Sequence, residues 1–72
     1  MYYRVFDYQR GVYFGTGYNS QSMEEVIKDF RSYILIAEEN VGYDDLQSWE
    51  QIADYLSEVE LEESETPFEE LN

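Results

Sequence analysis

The chain contains no cysteine and no histidine, one proline, and only four basic residues among its 72. Without cysteine there is neither a disulfide framework nor a thiolate zinc site. Without histidine the commonest metal ligand and the usual general base near neutral pH are missing as well. A chain this short with no staple must fold on a dense apolar core or take stability from a partner. Long hydrophobic runs are also lacking. The longest, Tyr33 to Ala37, has five residues, against the ~20 that a membrane span needs. The N-terminus shows no basic segment followed by an apolar stretch and a cleavage site, and the final Glu-Leu-Asn is not an ER-retention signal. A cytoplasmic location is the expectation, with no membrane partner.

The scarcity of bases has a position in the chain. Arg4, Arg10, Lys28 and Arg31 all fall within residues 1–31, where Asp7, Glu24, Glu25 and Asp29 balance them. Residues 32–72 hold thirteen acids and no base, so the whole net charge of −13 resides there. Direct nucleic-acid binding is excluded on this count, because displacing counterions from phosphates requires Lys and Arg. A basic protein surface is the complementary partner.

What the chain does have is aromatic side chains, 18% of the total. Each ring buries roughly 150–250 Å², which is enough to build a core from few residues. The pattern predicts a small single α+β domain of order ββααβ, with a three-stranded antiparallel sheet and two helices on one face. Residues 1–64 form the compact domain and 65–72 an acidic C-terminal tail. Residues 1–18 read as a hairpin interrupted at Gln9-Arg10-Gly11. A three-residue loop pairs Tyr8 with Val12. A four-residue loop pairs Asp7 with Val12, Val5 with Phe14 and Tyr3 with Thr16, and is preferred because it buries Val5. It gathers Tyr3, Val5, Val12 and Phe14 on one face and leaves Tyr2, Arg4, Phe6 and Tyr13 on the other.

Ser22-Met23-Glu24-Glu25 is a capping box, and Val26, Phe30, Tyr33, Ile34, Ala37 and Val41 follow at helical spacing. Asn40 or Gly42 is the expected left-handed stop. A second helix opens at Asp44 or Asp45 with Leu46, Trp49, Ile52, Ala53 and Leu56 inward, or one turn later on a Ser48/Gln51 cap. Glu58 to Glu62 alternates strictly and reads as the third strand, with Val59 and Leu61 inward.

No motif carries catalytic chemistry. Gly15-Thr16-Gly17-Tyr18-Asn19-Ser20 approaches a phosphate-binding G-x-G-x-x-G, but Ser20 stands in the third position and no βαβ unit surrounds it. The serines have no histidine or well-placed lysine to activate them. Asp44/Asp45 and Glu62/Glu63 read as solvated pairs rather than acid/base couples. The segment around Asp44 departs from the spacing of a calcium-binding loop. Neither cofactor nor metal is expected, and the protein is read as non-enzymatic.

Two candidate binding surfaces remain. Glu38, Glu39, Asp44, Asp45, Glu50, Asp54, Glu58, Glu60 and Glu62 form an acidic surface suited to a basic partner. Glu58, Glu60 and Glu62 repeat at ~6.6 Å as exposed strand positions, too dilute alone to imitate duplex phosphates. The helical acids must join them on one side to raise the density. The reading is an inhibitor or DNA mimic that occupies the basic cleft of a nucleic-acid-binding protein or nuclease. Its small size and one-sided charge are similar to those of accessory proteins of phages and mobile elements, in size and charge rather than motif. The alternative surface is the sheet face of Tyr2, Arg4, Phe6 and Tyr13, composed of residues that interface hot spots favour, which would serve a homodimer or a specific partner. In the tail, Thr66-Pro67-Phe68-Glu69 carries a helix-start signal, with Phe68 and Leu71 one turn apart. Phe68 is expected to dock on the protein's own core rather than on a partner.

Overall fold

The computed structural model describes residues 1–69, so the expected role of Leu71 lies outside the described residues. The elements run β1 (Tyr2–Asp7), β2 (Val12–Tyr13), α1 (Met23–Ala37), a 3₁₀ turn (Tyr43–Leu46), α2 (Trp49–Leu56) and β3 (Val59–Ser64). This is the expected ββααβ order. The antiparallel sheet is ordered β2-β1-β3. No described helix is long and apolar enough to cross a membrane.

The hairpin takes the four-residue turn, with Asp7 opposite Val12 and Phe6 opposite Tyr13. Asp7 explains why an acid can stand at an inward position with 6% exposure. Its Oδ1 accepts from the Gln9 and Arg10 backbone N–H groups at 2.9 and 3.4 Å, and its Oδ2 from Arg10 Nε at 2.8 Å. The carboxylate thus caps the turn it precedes, and the hydrogen bond from Arg10 holds its pKa below the usual aspartate value. Gly11 supplies the left-handed residue that ends the turn, at φ 69°.

Beyond Phe14, whose N–H reaches Val5 O at 2.9 Å, the ladder breaks. The expected Tyr3–Thr16 pair does not form. Tyr3 pairs with Ser20 instead: its N–H donates to Ser20 O at 2.9 Å and its carbonyl accepts from Asn19 at 2.8 Å. The surplus residues loop out because Gly17, at φ 71°, brings its backbone onto the core, where a Cβ would stand 3.1 Å from the Phe30 ring. Gly17 therefore serves packing, whereas a Cβ at Gly15 would meet nothing within 4 Å, and the Tyr18 and Ser20 N–H groups donate within the loop, to Gly15 and Gly17 carbonyls.

Ser22 caps α1 by accepting from Glu25 N at 3.1 Å. Helix α1 stops at Ala37, with Glu38 extended, ahead of the expected Asn40 or Gly42. Gly42 sits at φ −91° and opens the 3₁₀ turn rather than closing a helix. The last turn of α1 has no base, and continuing it would put Glu38 and Glu39 at the negative end of the helix dipole. Helix α2 uses the later start. Ser48 Oγ accepts from Gln51 N at 3.2 Å, and Gln51 Oε1 accepts from Ser48 N at 3.1 Å.

The core consists of Val5, Val26, Phe30, Ile34, Leu46 and Ile52, all buried, with Phe14, Trp49, Leu56, Val59 and Leu61 packed against it. Phe30 anchors it through edge contacts to Phe14 at 5.2 Å and Trp49 at 5.6 Å between centroids. Three expected inward residues are exposed: Val12, Tyr33 and Ala37. Strand β2 is only two residues long, and a hollow of about 440 Å³ lined by Val12, Phe14 and Tyr33 opens beside it.

Candidate functional site

Strand alternation sends even-numbered residues of β1 and β3 away from the helices. Tyr2, Arg4 and Phe6 of β1 therefore share a face with Glu60 and Glu62 of β3, and Tyr13 of β2 stands opposite Phe6 on the same side. The two surfaces expected as alternatives thus overlap on this face. Register places Arg4 opposite Glu62 and Phe6 opposite Glu60.

Arg4 is the centre of this face. Its guanidinium carbon lies 3.9 Å from the Tyr13 ring centroid and 4.0 Å from that of Phe68, a cation held between two π faces. Its Nε and Nη2 meet Glu62 Oε1 at 2.9 and 2.8 Å. Tyr13 Oη donates to Glu62 Oε2 at 3.0 Å. Burial opposes the charge on Arg4, but bonds to Tyr18 and Glu62 outweigh it, and the pKa is raised. Around this centre the rings form a chain of edge contacts: Tyr8–Phe6 at 5.0 Å, Phe6–Tyr13 at 4.9 Å and Tyr13–Tyr18 at 6.3 Å. Tyr8 Oη donates to Glu60 Oε2 at 2.9 Å. That bond, then burial, raises the Tyr8 pKa. For Tyr13 burial is the larger cause and the bond to Glu62 the second.

The tail closes one end of the face. Asn19 grips the Phe68 backbone twice, its Oδ1 accepting from Phe68 N at 2.8 Å and its Nδ2 donating to Phe68 O at 3.0 Å. Tyr18 Oη donates to the Glu69 carbonyl. Phe68 does dock on its own chain, but on Arg4 and Tyr18 of the open face rather than on the core. Residues 66–69 are not helical, so the helix-start signal there goes unused.

The row Glu58, Glu60, Glu62 needs correction. Glu58 precedes β3 at φ 40°, where its carbonyl accepts from Tyr8 N at 2.9 Å, so only Glu60 and Glu62 repeat along the strand. Glu62 is half-buried and ion-paired, so it is not an exposed position that tolerates exchange.

Glu38, Glu39, Asp44, Asp45, Glu50 and Asp54 are all exposed, and they lie on the helical layer and its connections, while Glu60 and Glu62 face away from it. Helical and strand acids therefore do not merge into a single ribbon. Among the described residues there are two ion pairs, Arg4–Glu62 and Arg10–Asp7. Arg31 is spent on the 3₁₀ turn, with Nη1 3.4 Å from Leu46 O and its guanidinium 4.4 Å from the Tyr43 centroid. Three of the four cations thus hold the fold together, and the helical acids are left uncompensated. Among the described residues no three acidic side chains gather into a metal cage.

Sequence reasoning missed Tyr8, Tyr18 and Asn19. Tyr8 was within reach, since it continues the even parity of β1. Tyr18 and Asn19 carried no signal, because the Tyr3–Ser20 bridge that positions them departs from the hairpin register. Comparison with protein-family models, curated proteins and solved structures finds no match.

Proposed function

We propose that this protein is a non-catalytic acidic binding protein, an inhibitor or DNA mimic that occupies the basic surface of a nucleic-acid-binding protein or nuclease. One observation carries the reading. Arg4, Arg10 and Arg31 are each engaged by partners within the chain, whereas Glu38, Glu39, Asp44, Asp45, Glu50 and Asp54 stand exposed with no cation partner among the described residues. Such a surface steers a basic partner toward itself and weakens with salt. The mechanism is occupancy: a cleft that holds these carboxylates cannot hold phosphates.

The test is affinity capture from the native host's lysate at low and high salt, followed by binding kinetics on the captured protein. Reversing Asp44, Asp45, Glu50 and Asp54 to lysine lowers affinity for that partner by about tenfold or more, mainly through the association rate. Unchanged affinity refutes the reading. A second reading rests on the open face, whose ring chain around Arg4 resembles an interface anchor. If that face makes a homodimer or holds the partner, exchanging Phe6 and Tyr13 for serine abolishes association and the charge reversal is silent.

A further inference from the structure

The sheet has one long unpaired edge, and the backbone register shows which groups it offers. Odd residues of β1 bond toward β2: Phe14 N donates to Val5 O at 2.9 Å and Gly11 N to Asp7 O at 2.8 Å. Even residues bond toward β3, as Tyr8 N does to Glu58 O. With Phe6 opposite Glu60 and Arg4 opposite Glu62, the N–H and C=O groups of Glu60, Glu62 and Ser64 turn inward to β1. Those of Val59, Leu61 and Glu63 turn outward. Among the described residues no backbone group bonds to that outer row. An unpaired row of this kind is a template for another strand.

We propose that the outer edge of β3 is a docking strand for an extended basic segment of the partner, one with Lys or Arg at alternate positions and apolar residues between them. The inference rests on the proposed function for the sign of the partner's charge. The backbone row makes the site; the side chains select its occupant. Glu60 and Glu62 lie on one face of β3, and the half-buried Val59 and Leu61 on the other. A paired strand sets its side chains directly opposite these, ~4.5–5.5 Å away between Cβ atoms. Basic residues would then meet the glutamates, which have acceptor sites left beyond Arg4, Tyr13 and Tyr8. Apolar residues would extend the cover over Val59 and Leu61. A second copy of this chain is the wrong occupant. Outward-bonding residues pair with one another across an edge, so Glu60 and Glu62 would face Glu60 and Glu62 of the copy, and like charges directly opposite destabilise a sheet.

The experiment titrates the isotope-labelled protein with a six-residue peptide of alternating lysine and valine, matched to the length of β3, at low salt by NMR. A second peptide is N-methylated on the amides that would face β3. It keeps the charge but cannot complete the ladder. The parent peptide is expected to shift the amides of Val59, Leu61 and Glu63 and slow their hydrogen exchange, and methylation is expected to weaken binding about tenfold or more, the worth of one or two lost bonds. On the protein side, Glu63→Pro removes an outward N–H at an exposed edge position, and Glu63→Gln removes the same charge while keeping that N–H. With both variants showing a native spectrum, the proline variant loses affinity by a similar factor and the glutamine variant stays within about threefold. Equal binding of the two peptides overturns the docking strand but leaves the basic-partner reading standing. Failure of both peptides to bind at low salt overturns both readings.

Discussion

The two faces of one three-stranded sheet are held by different physics. On the inner face Val5 is buried beneath Phe30, Ile34, Leu46 and Ile52, with Val59 and Leu61 at its flank. Its stability comes from area removed from water, which is non-directional and, unlike charge pairing, is not screened by salt. On the outer face the same strands alternate Tyr2, Arg4 and Phe6 with Glu60 and Glu62. There stability comes from one cation held by two rings and a carboxylate. That contact set is directional, titratable and half-open to water. The inner face makes the domain; the outer face adds a polar and aromatic contact set that ties the tail to the sheet.

The comparison breaks most visibly at Phe30. Phe30→Ala should cost about 3–5 kcal/mol through lost transfer and the cavity left behind, read by urea denaturation at fixed pH. A cost below about 1 kcal/mol would mean the helices, not this ring, carry the core. On the outer face Arg4→Ala should cost only about 1 kcal/mol, because the site is partly exposed. The sharper measurement is a double-mutant cycle of Arg4→Ala with Phe68→Ala. A coupling of about 0.5–1 kcal/mol is expected, and zero coupling would show that the tail does not depend on Arg4.

pH separates the faces further. Tyr8 and Tyr13 have pKa values raised in the folded state, Tyr8 mainly by its bond to Glu60 and Tyr13 mainly by burial. Their contribution is full below the unfolded tyrosine value of about 10 and disappears as pH rises through the folded values. Asp7 has the opposite sign. Its contribution is present above the unfolded value of about 4 and lost as pH falls through its lowered folded value. Melting curves should therefore show an alkaline loss that flattens in the Tyr8→Phe/Tyr13→Phe variant and an acid loss that flattens in Asp7→Asn. Retention of both losses in the variants would assign them elsewhere. The smallest effect is that of salt. Moderate NaCl should raise the melting temperature slightly by screening the repulsion among the acids, and a monotonic fall would contradict the picture of uncompensated charge.

Much of this architecture was legible residue by residue. The strict alternation from Glu58 to Glu62 marked β3 and its inward Val59 and Leu61. The Ser22 cap marked the start of α1, whereas for α2 the Ser48 cap was the alternative to a start at Asp44 or Asp45. The need to bury Val5 selected the hairpin register. Less legible was where regular elements stop: α1 ends before Asn40, β2 is two residues long, and Glu58 falls at a bend rather than in the strand. The helix ends for a local reason, its base-free last turn, whereas the early break of the hairpin ladder reflects a competition between a weak local preference and a distant contact. Gly17 shows this, since its close approach to Phe30 diverts the chain to pair Tyr3 with Ser20.

The sequence by itself determined the class of fold, the inward alternation of Val59 and Leu61 in β3, and the segregation of charge. These follow from local periodicity and from counting, and neither depends on what lies across the sheet. Only the tertiary structure decided that Glu62 belongs to Arg4, that Phe68 completes the cation's cage, and that the strand glutamates stand apart from the helical acids. The partners in these contacts lie far apart along the chain, 58 residues in the case of Arg4 and Glu62. Their pairing is set by strand order and register, which place β1 between β2 and β3, and no local pattern in the chain records that order.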